Sequence, residues 1–252
     1  MGGWGDTPLG YPPSSLTMAQ SMAQSMAQAS LDARLALAEL RVRGLELELR
    51  LRRLTSARLS AAVRRVVEHL RRLGAAFSLR RVPADYYSHP LEWRRERLGA
   101  VSAGQLCKTL LLENRACEVD GLGPHSRFFA VVVQYVCKLD VERVVDALQR
   151  LRPEERLPRR RFRLQLAPAE TSGRLTGFGH NAVSPFGMLT EVPVLLCSRV
   201  LSLRPAYLFL GAGEEHLKLG ISVTALVQAL DPIVADISVP RDGALDEDDE
   251  GS

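Results

Sequence analysis

Residues Arg127–Lys138, reading Arg-Phe-Phe-Ala-Val-Val-Val-Gln-Tyr-Val-Cys-Lys, constrain the fold more than any other stretch of the chain. The run is β-branched and almost wholly apolar, the composition of a strand covered on both faces. Such a strand needs sheet neighbours and further layers above and below, and the flanking pattern supplies them. Phe77–Val82, Val192–Leu196, Ala206–Leu210 and Lys218–Val223 read as further strands. A helix over residues 56–73 ends at Gly74, and an arginine-rich helical stretch runs to Leu98. Val141–Leu151, a segment starting at Pro168 and Thr224–Leu230 complete the helices. Strands and helices intermix without a regular βαβ repeat, so the expected class is mixed α/β (α+β) over residues 56–240.

A helical segment precedes this domain. Ser30 is placed to cap it, and Asp32 falls in the first turn, where the helix dipole favours negative charge. One heptad seam runs through Leu31, Leu35, Ala38, Val42, Leu45 and Leu49, and a second row of Leu40, Leu47, Leu51 and Leu54 widens the apolar face. The expectation is an amphipathic, coiled-coil-like helix over residues 30–55 that self-associates or docks on a partner such as an aminoacyl-tRNA synthetase. Residues 1–29 read as a low-complexity lead, Gly/Pro/Ser-rich and then repeating Met-Ala-Gln-Ser, and the acidic run 241–252 as a disordered tail.

Charge is distributed unevenly. The net charge is only +4, yet arginines crowd residues 34–97 and 150–163. A basic body favours a polyanionic partner such as RNA, although a solvated arginine-rich helix has the same composition. The four cysteines form neither a Cys-x-x-Cys pair nor a Cys/His cluster with zinc spacing, as expected for reduced thiols. No apolar run reaches the roughly 20 residues of a membrane helix, and no signal-peptide or myristoylation pattern opens the chain. A soluble cytoplasmic protein without a membrane partner is expected.

Chemistry concentrates in Thr176-Gly-Phe-Gly-His-Asn-Ala-Val-Ser-Pro-Phe-Gly-Met188. Gly177, Gly179 and Gly187 permit sharp turns and close approach, while Pro185 stiffens the middle and biases Ser184 towards an extended backbone. That combination suits the rim of a preformed pocket and equally suits an ordinary connection. Lys108 stands in the apolar run Leu106–Leu112, where a lysine must reach an anion or snorkel to solvent. Cys107 is either a nucleophile with a base beside it or an inert buried thiol. His180 is a candidate base or hydrogen-bond donor, a lone histidine being more often structural. Neither a Walker loop, a dinucleotide fingerprint nor a nucleophile elbow occurs, and Gly211-Ala-Gly213 is too short to specify a nucleotide site.

The order of Gln105–Leu112, the central apolar strand, Leu175–Met188, Leu210–Gly213, Leu217–Ile221 and Ala235–Ile237 resembles the YbaK/prolyl-tRNA-synthetase-associated editing domain over residues 60–239. Val82–Trp93 resembles a eukaryotic, free-standing branch of that family. The resemblance implies a central mixed sheet flanked by helices and a hydrolase that deacylates mischarged aminoacyl-tRNA without a cofactor or metal. It implies Lys108 as the essential lysine, holding the terminal nucleotide of the tRNA acceptor end. It implies Gly177, His180, Asn181, Ala182, Ser184, Pro185, Gly211 and Gly213 as the lining of the aminoacyl pocket. The family's Gly-x-x-x-Pro loop maps onto Asn181–Pro185, where Asn181 replaces the first glycine and Ala182 the glycine that often follows. Asn accepts left-handed backbone more readily than most residues, so the loop's shape is expected to survive. The alternative is a non-catalytic module that uses the same fold to bind tRNA or a synthetase.

Overall fold

The computed structural model describes residues 59–117, 121–151 and 158–241, together with single helical positions between residues 23 and 42. The chain divides into two compact units, Met1–Arg58 and Leu59–Ser252. In the first, positions 23, 24, 26–28, 30, 31, 34, 35, 38 and 42 are helical and exposed. The rest of the expected 30–55 helix, the opening residues and the acidic tail lie outside the described residues.

The second unit starts where the Ser60 hydroxyl accepts the Val63 N–H at 3.3 Å and caps α1 (Ala61–Arg72). Val63, Val66, Val67 and Leu70 recur on one face of that helix and are buried, the amphipathic pattern of a helix packed on a core. The other helices are α2 (Leu91–Leu98), α3 (Val141–Leu151), α4 (Ala169–Thr176) and α5 (Val223–Leu230). A mixed five-stranded sheet carries the centre. Its order is β5 (Leu164–Leu166), β2 (Cys107–Asn114), β3 (Phe128–Gln134), β6 (Val194–Cys197) and β9 (Ile233–Ala235). β2 pairs antiparallel with β5 and β3, whereas β6 runs parallel to β3 and β9. A second, antiparallel sheet has the order β1 (Phe77–Arg81), β8 (Leu217–Ser222) and β7 (Tyr207–Gly211). A parallel bridge between Leu106 and Phe209 joins the two sheets at the start of β2. The mixed α/β class expected from the sequence is the class observed.

Every residue of β3 is buried, as its composition requires. The expected single strand over 127–138 is, however, two. β3 stops at Gln134, which faces Cys107, the first residue of β2. Beyond that point one more bond is made, from the Tyr135 N–H to the Leu106 carbonyl at 2.9 Å, and Leu106 itself bridges to Phe209. The chain turns at Tyr135-Val136 and resumes as β4 (Cys137–Leu139), which pairs with β10 (Ser238–Pro240). The turn leaves Tyr135 beside the end of β2.

The glycine loop between α4 and β6 is clamped on α1. Arg65 donates from Nε to the Gly187 carbonyl at 3.1 Å and from Nη2 to the Gly177 carbonyl at 2.7 Å. The Gly187 N–H donates to His69 Nδ1 at 2.8 Å. Burial, seconded by the nearby Arg72, holds the His69 pKa below its ordinary value against the pull of Glu191, which keeps Nδ1 available as an acceptor. Gly187 has φ +71°, and a Cβ there would stand 2.6 Å from the Arg65 carbonyl carbon. These glycines serve close packing of the chain on itself. The variant Gly187→Ala is expected to lose about 2 kcal/mol or more of stability, since both the backbone region and the space are forbidden. Urea denaturation checks this, and an unchanged midpoint would contradict the packing described.

Candidate functional site

The second-sheet strand β8 carries a lysine in its apolar run Leu217-Lys-Leu-Gly-Ile221, and Lys218 is only 4% exposed. Burying an ammonium is costly unless acceptors replace its water. Three do so. Nζ donates to the Tyr87 hydroxyl at 2.5 Å, to the Glu215 carbonyl at 2.9 Å and to the Asn181 carbonyl at 3.4 Å. The Tyr87 hydroxyl in turn donates to that same Asn181 carbonyl at 3.0 Å. The Asn181 side-chain amide donates to Glu215 Oε1 at 3.2 Å, so both ends of Asn181 are tied. Burial draws the Lys218 pKa down to about 7, the Glu215 carboxylate opposing this and Arg94 adding to it.

Aromatic rings carry the arrangement towards β2. Lys218 Nζ lies 4.4 Å from the centroid of Tyr87 and 5.3 Å from that of Tyr86. The buried Arg94 guanidinium sits 5.0 Å from the Tyr87 centroid and 6.0 Å from that of Tyr135, and donates to the carbonyls of Tyr87 and His89 at 2.6 and 2.8 Å. Lys108 Nζ lies 5.6 Å from the Tyr135 centroid. Burial, with neighbouring Tyr135 adding by charge and hydrogen bonding, pushes the Tyr87 phenol far above its ordinary pKa, so it remains a neutral donor. Three basic side chains thus border three tyrosines, the composition of a site for an anionic or electron-rich ligand. The tyrosines rest on the cluster of Val82, Leu91, Leu98, Leu106 and Phe209, which fixes their position.

The structure places the residues singled out in the sequence as follows. Lys108 is half-buried as the second residue of β2, facing Val133 across the ladder. Cys107 beside it is fully buried, and burial raises its thiol pKa strongly, with Cys197 and Cys137 adding, so it is an inert thiol. Asn181 has φ +58°, the left-handed conformation expected of it. Ala182 is buried, donates its N–H to the Gly179 carbonyl at 3.2 Å and accepts from the Gly213 N–H at 3.0 Å. Ser184 is fully buried, and its hydroxyl accepts the Phe186 N–H at 3.3 Å, which makes it a turn-former beside the buried Pro185. Gly211 is required because a Cβ there would collide with the Val183 carbonyl, and Gly213, at φ +92°, lies against the α1 backbone at Ala62. Asn181, Ala182, Gly211 and Gly213 therefore form one body with the lysine knot. Gly177 belongs to the Arg65 clamp. His180 is exposed at the loop tip, and the contacts of the lysine knot do not include it. Gly179 is exposed and has nothing within 4 Å of a built Cβ, so it remains open to a ligand.

Sequence reasoning missed Lys218, Tyr87, Arg94 and Tyr135. Lys218 had the same signal as Lys108, a lysine inside an apolar strand, and could have been found by it. The tyrosines and Arg94 had none, because only the turn after β3 and the packing of α2 bring them together. Among the described residues, no cluster of three or more His, Cys, Asp or Glu could hold a metal ion, and no helix is long and apolar enough to cross a membrane.

Among solved structures, a protein described as a candidate trans-editing enzyme for prolyl tRNA synthetase matches with TM-score 0.56 and 21% identity, over 72% of this chain and 99% of its own. A scaffold from computational epitope grafting matches with TM-score 0.55 and 20% identity, over 73% and 100%. The hypothetical protein APE2540 matches with TM-score 0.52 and 22% identity, over 69% and 99%. The fold is that of a YbaK-like editing domain. No protein-family model and no curated protein matches the chain.

A pKa of about 7 for folded Lys218 against the ordinary 10.5 means that the unfolded chain binds more protons between those values. Folding stability therefore rises with pH across that window, by up to about 1.4 kcal/mol per pH unit. Cys107 and the tyrosines, whose pKa values burial raises, oppose this only from about pH 9 upwards. Urea midpoints measured at pH 7, 8 and 9 should rise for the native protein and stay flat for Lys218→Met. Equal slopes in the two proteins would contradict the buried-ammonium assignment.

Proposed function

We propose that the chain is a trans-editing hydrolase that deacylates mischarged aminoacyl-tRNA carrying a small amino acid on its 3′ end. What supports this reading is the run of contacts from Asn181 through Tyr87 and Arg94 to Tyr135 and Lys108, on a fold shared with a candidate trans-editing enzyme. An aminoacyl ester is already activated, so the site need only orient water and offer donors to the oxyanion. Water attacks the ester carbonyl, and a tetrahedral oxyanion forms. The carbon–oxygen bond to the ribose then breaks, and the ribose oxygen takes up a proton as the free amino acid leaves.

In this reading Lys108, half-buried at the mouth of β2, binds phosphate or ribose oxygens of the terminal nucleotide. Lys218 is a positioning residue, holding the Asn181 carbonyl turned inward against Tyr87. Asn181 and Ala182 limit the room for the amino-acid side chain, and such a limit discriminates by about 1–3 kcal/mol per methylene. Ala, Cys and Ser esters are the substrates that fit this logic. Surface arginines hold the acceptor stem through a salt-dependent phosphate contribution.

Deacylation of tRNAs charged with Ala, Cys, Ser, Thr and Pro tests the proposal. The native protein should hydrolyse at least one small-residue ester, and Lys108→Ala should be slower by about 100-fold. Absence of hydrolysis by the native protein would leave the fold serving as a binding module. Equal rates for the two proteins would remove Lys108 from the mechanism.

A further inference from the structure

A carboxylate stands at the Asn181 edge of the site, and the lysine knot uses only half of it. Glu215 is half-buried in the turn before β8. Its side-chain Oε1 accepts from the Asn181 amide at 3.2 Å. Oε2 has neither a hydrogen-bond nor an ion-pair partner among the described residues, and it is not enclosed. The Lys218 ammonium bonds the backbone carbonyl of Glu215 at 2.9 Å and not its carboxylate. Anchoring Asn181 takes one oxygen, and the neutral carbonyl of a glutamine would accept that bond as well. The second oxygen and the negative charge are surplus to the fold at this point.

The polarity of the site says what the surplus charge meets. Contacts run from Asn181 through Tyr87, Arg94 and Tyr135 to Lys108, so a carboxylate marks one end of the run and an ammonium the other. An aminoacylated nucleotide is polarised in the same sense. It carries an α-ammonium beside the amino-acid side chain and a phosphate at the nucleotide end. With Lys108 on the phosphate, the aminoacyl end falls at Asn181 and Glu215. Of the groups that an Ala, Ser or Cys ester brings there, only the α-ammonium is a cation with donors for a carboxylate oxygen.

We propose that Glu215 receives the α-ammonium of the aminoacyl ester on Oε2, so that the site takes esters with a free amino group and rejects N-acylated, peptidyl-like ones. The inference rests on the aminoacyl-ester reading of the site and names the group that selects its substrate. One side chain then does two things: Oε1 holds Asn181 at the pocket wall, and Oε2 fixes the substrate nitrogen beside it. Acylating that nitrogen removes its charge and two of its three donors, and brings a carbonyl oxygen towards the carboxylate. Both changes oppose binding, and discrimination of this kind combines a lost attraction with a new repulsion.

The test measures binding to the full chain by calorimetry at about pH 7, where an α-amine of pKa about 8 carries its proton. The probes are amide analogues that cannot be deacylated as esters: 3′-alanylamino-3′-deoxyadenosine 5′-monophosphate, its N-acetyl derivative, and the propionylamino counterpart that lacks the nitrogen. The native protein should bind the alanyl analogue at least about tenfold more tightly than either of the others. Glu215→Gln keeps an acceptor for Asn181 and the backbone carbonyl for Lys218, and should bring that ratio close to one. A merely structural role would weaken all three analogues together and leave the ratio standing. Glu214→Gln, one position away, should retain the preference. A ratio near one in the native protein, a ratio that survives Glu215→Gln, a ratio lost equally in Glu214→Gln, or no binding of any analogue would each overturn the proposal. Hydrolysis of Ala-tRNA is assayed separately. An alanyl preference without hydrolysis would overturn the deacylase reading and leave the ammonium site in place, whereas hydrolysis without the preference would do the reverse.

Discussion

The contact on which the candidate site depends is the buried ammonium of Lys218. It reaches three elements far apart in sequence: the Tyr87 turn, the Asn181 loop and the turn at Glu215 that opens its own strand. Each supplies an oxygen that would otherwise have to be satisfied elsewhere or left unpaired in the interior, at a cost of about 1–3 kcal/mol. The cation and its acceptors are therefore mutually required. The same contact draws the Asn181 carbonyl inward and supports the left-handed backbone that residue adopts.

Around that knot the loop is held both by side-chain hydrogen bonds from α1 and by close backbone packing. Arg65 and His69 of α1 grip Gly177 and Gly187, while Gly211 and Gly213 let β7 end directly on the loop backbone. Gly177 and Gly187, two of the three glycines that suggested the rim of a preformed pocket, are points of close contact within the protein, as are Gly211 and Gly213. Close packing of this kind rigidifies the loop, and the proposed deacylation calls for such a rim. Gly179, open on the surface side, is the glycine left free for a ligand to approach.

The fold was legible where one strand or helix had a strong period of its own. Phe128–Gln134 had to be central, α1 had its i, i+3, i+4 valines, and the order of motifs resembled an editing domain that the solved structures match in fold. The three-residue strands β5, β9 and β10 were not legible, because so short an edge segment carries no period to detect. In the site, Lys108 and Asn181 could be picked out as single residues against their background. The tyrosine and arginine cluster could not, since it is created by the end of the β2–β3 ladder and the packing of α2, both tertiary facts. His180, conspicuous in the sequence, stands at the exposed tip.

Whether a buried ammonium organises this site can be read from the titration of Lys218 itself, followed through its side-chain Cε and Nζ resonances and assigned with Lys218→Met. A midpoint near 7 is expected in the folded protein. A midpoint near the ordinary 10.5 would mean that Lys218 is solvated, and that Tyr87 and Asn181 are held by something else.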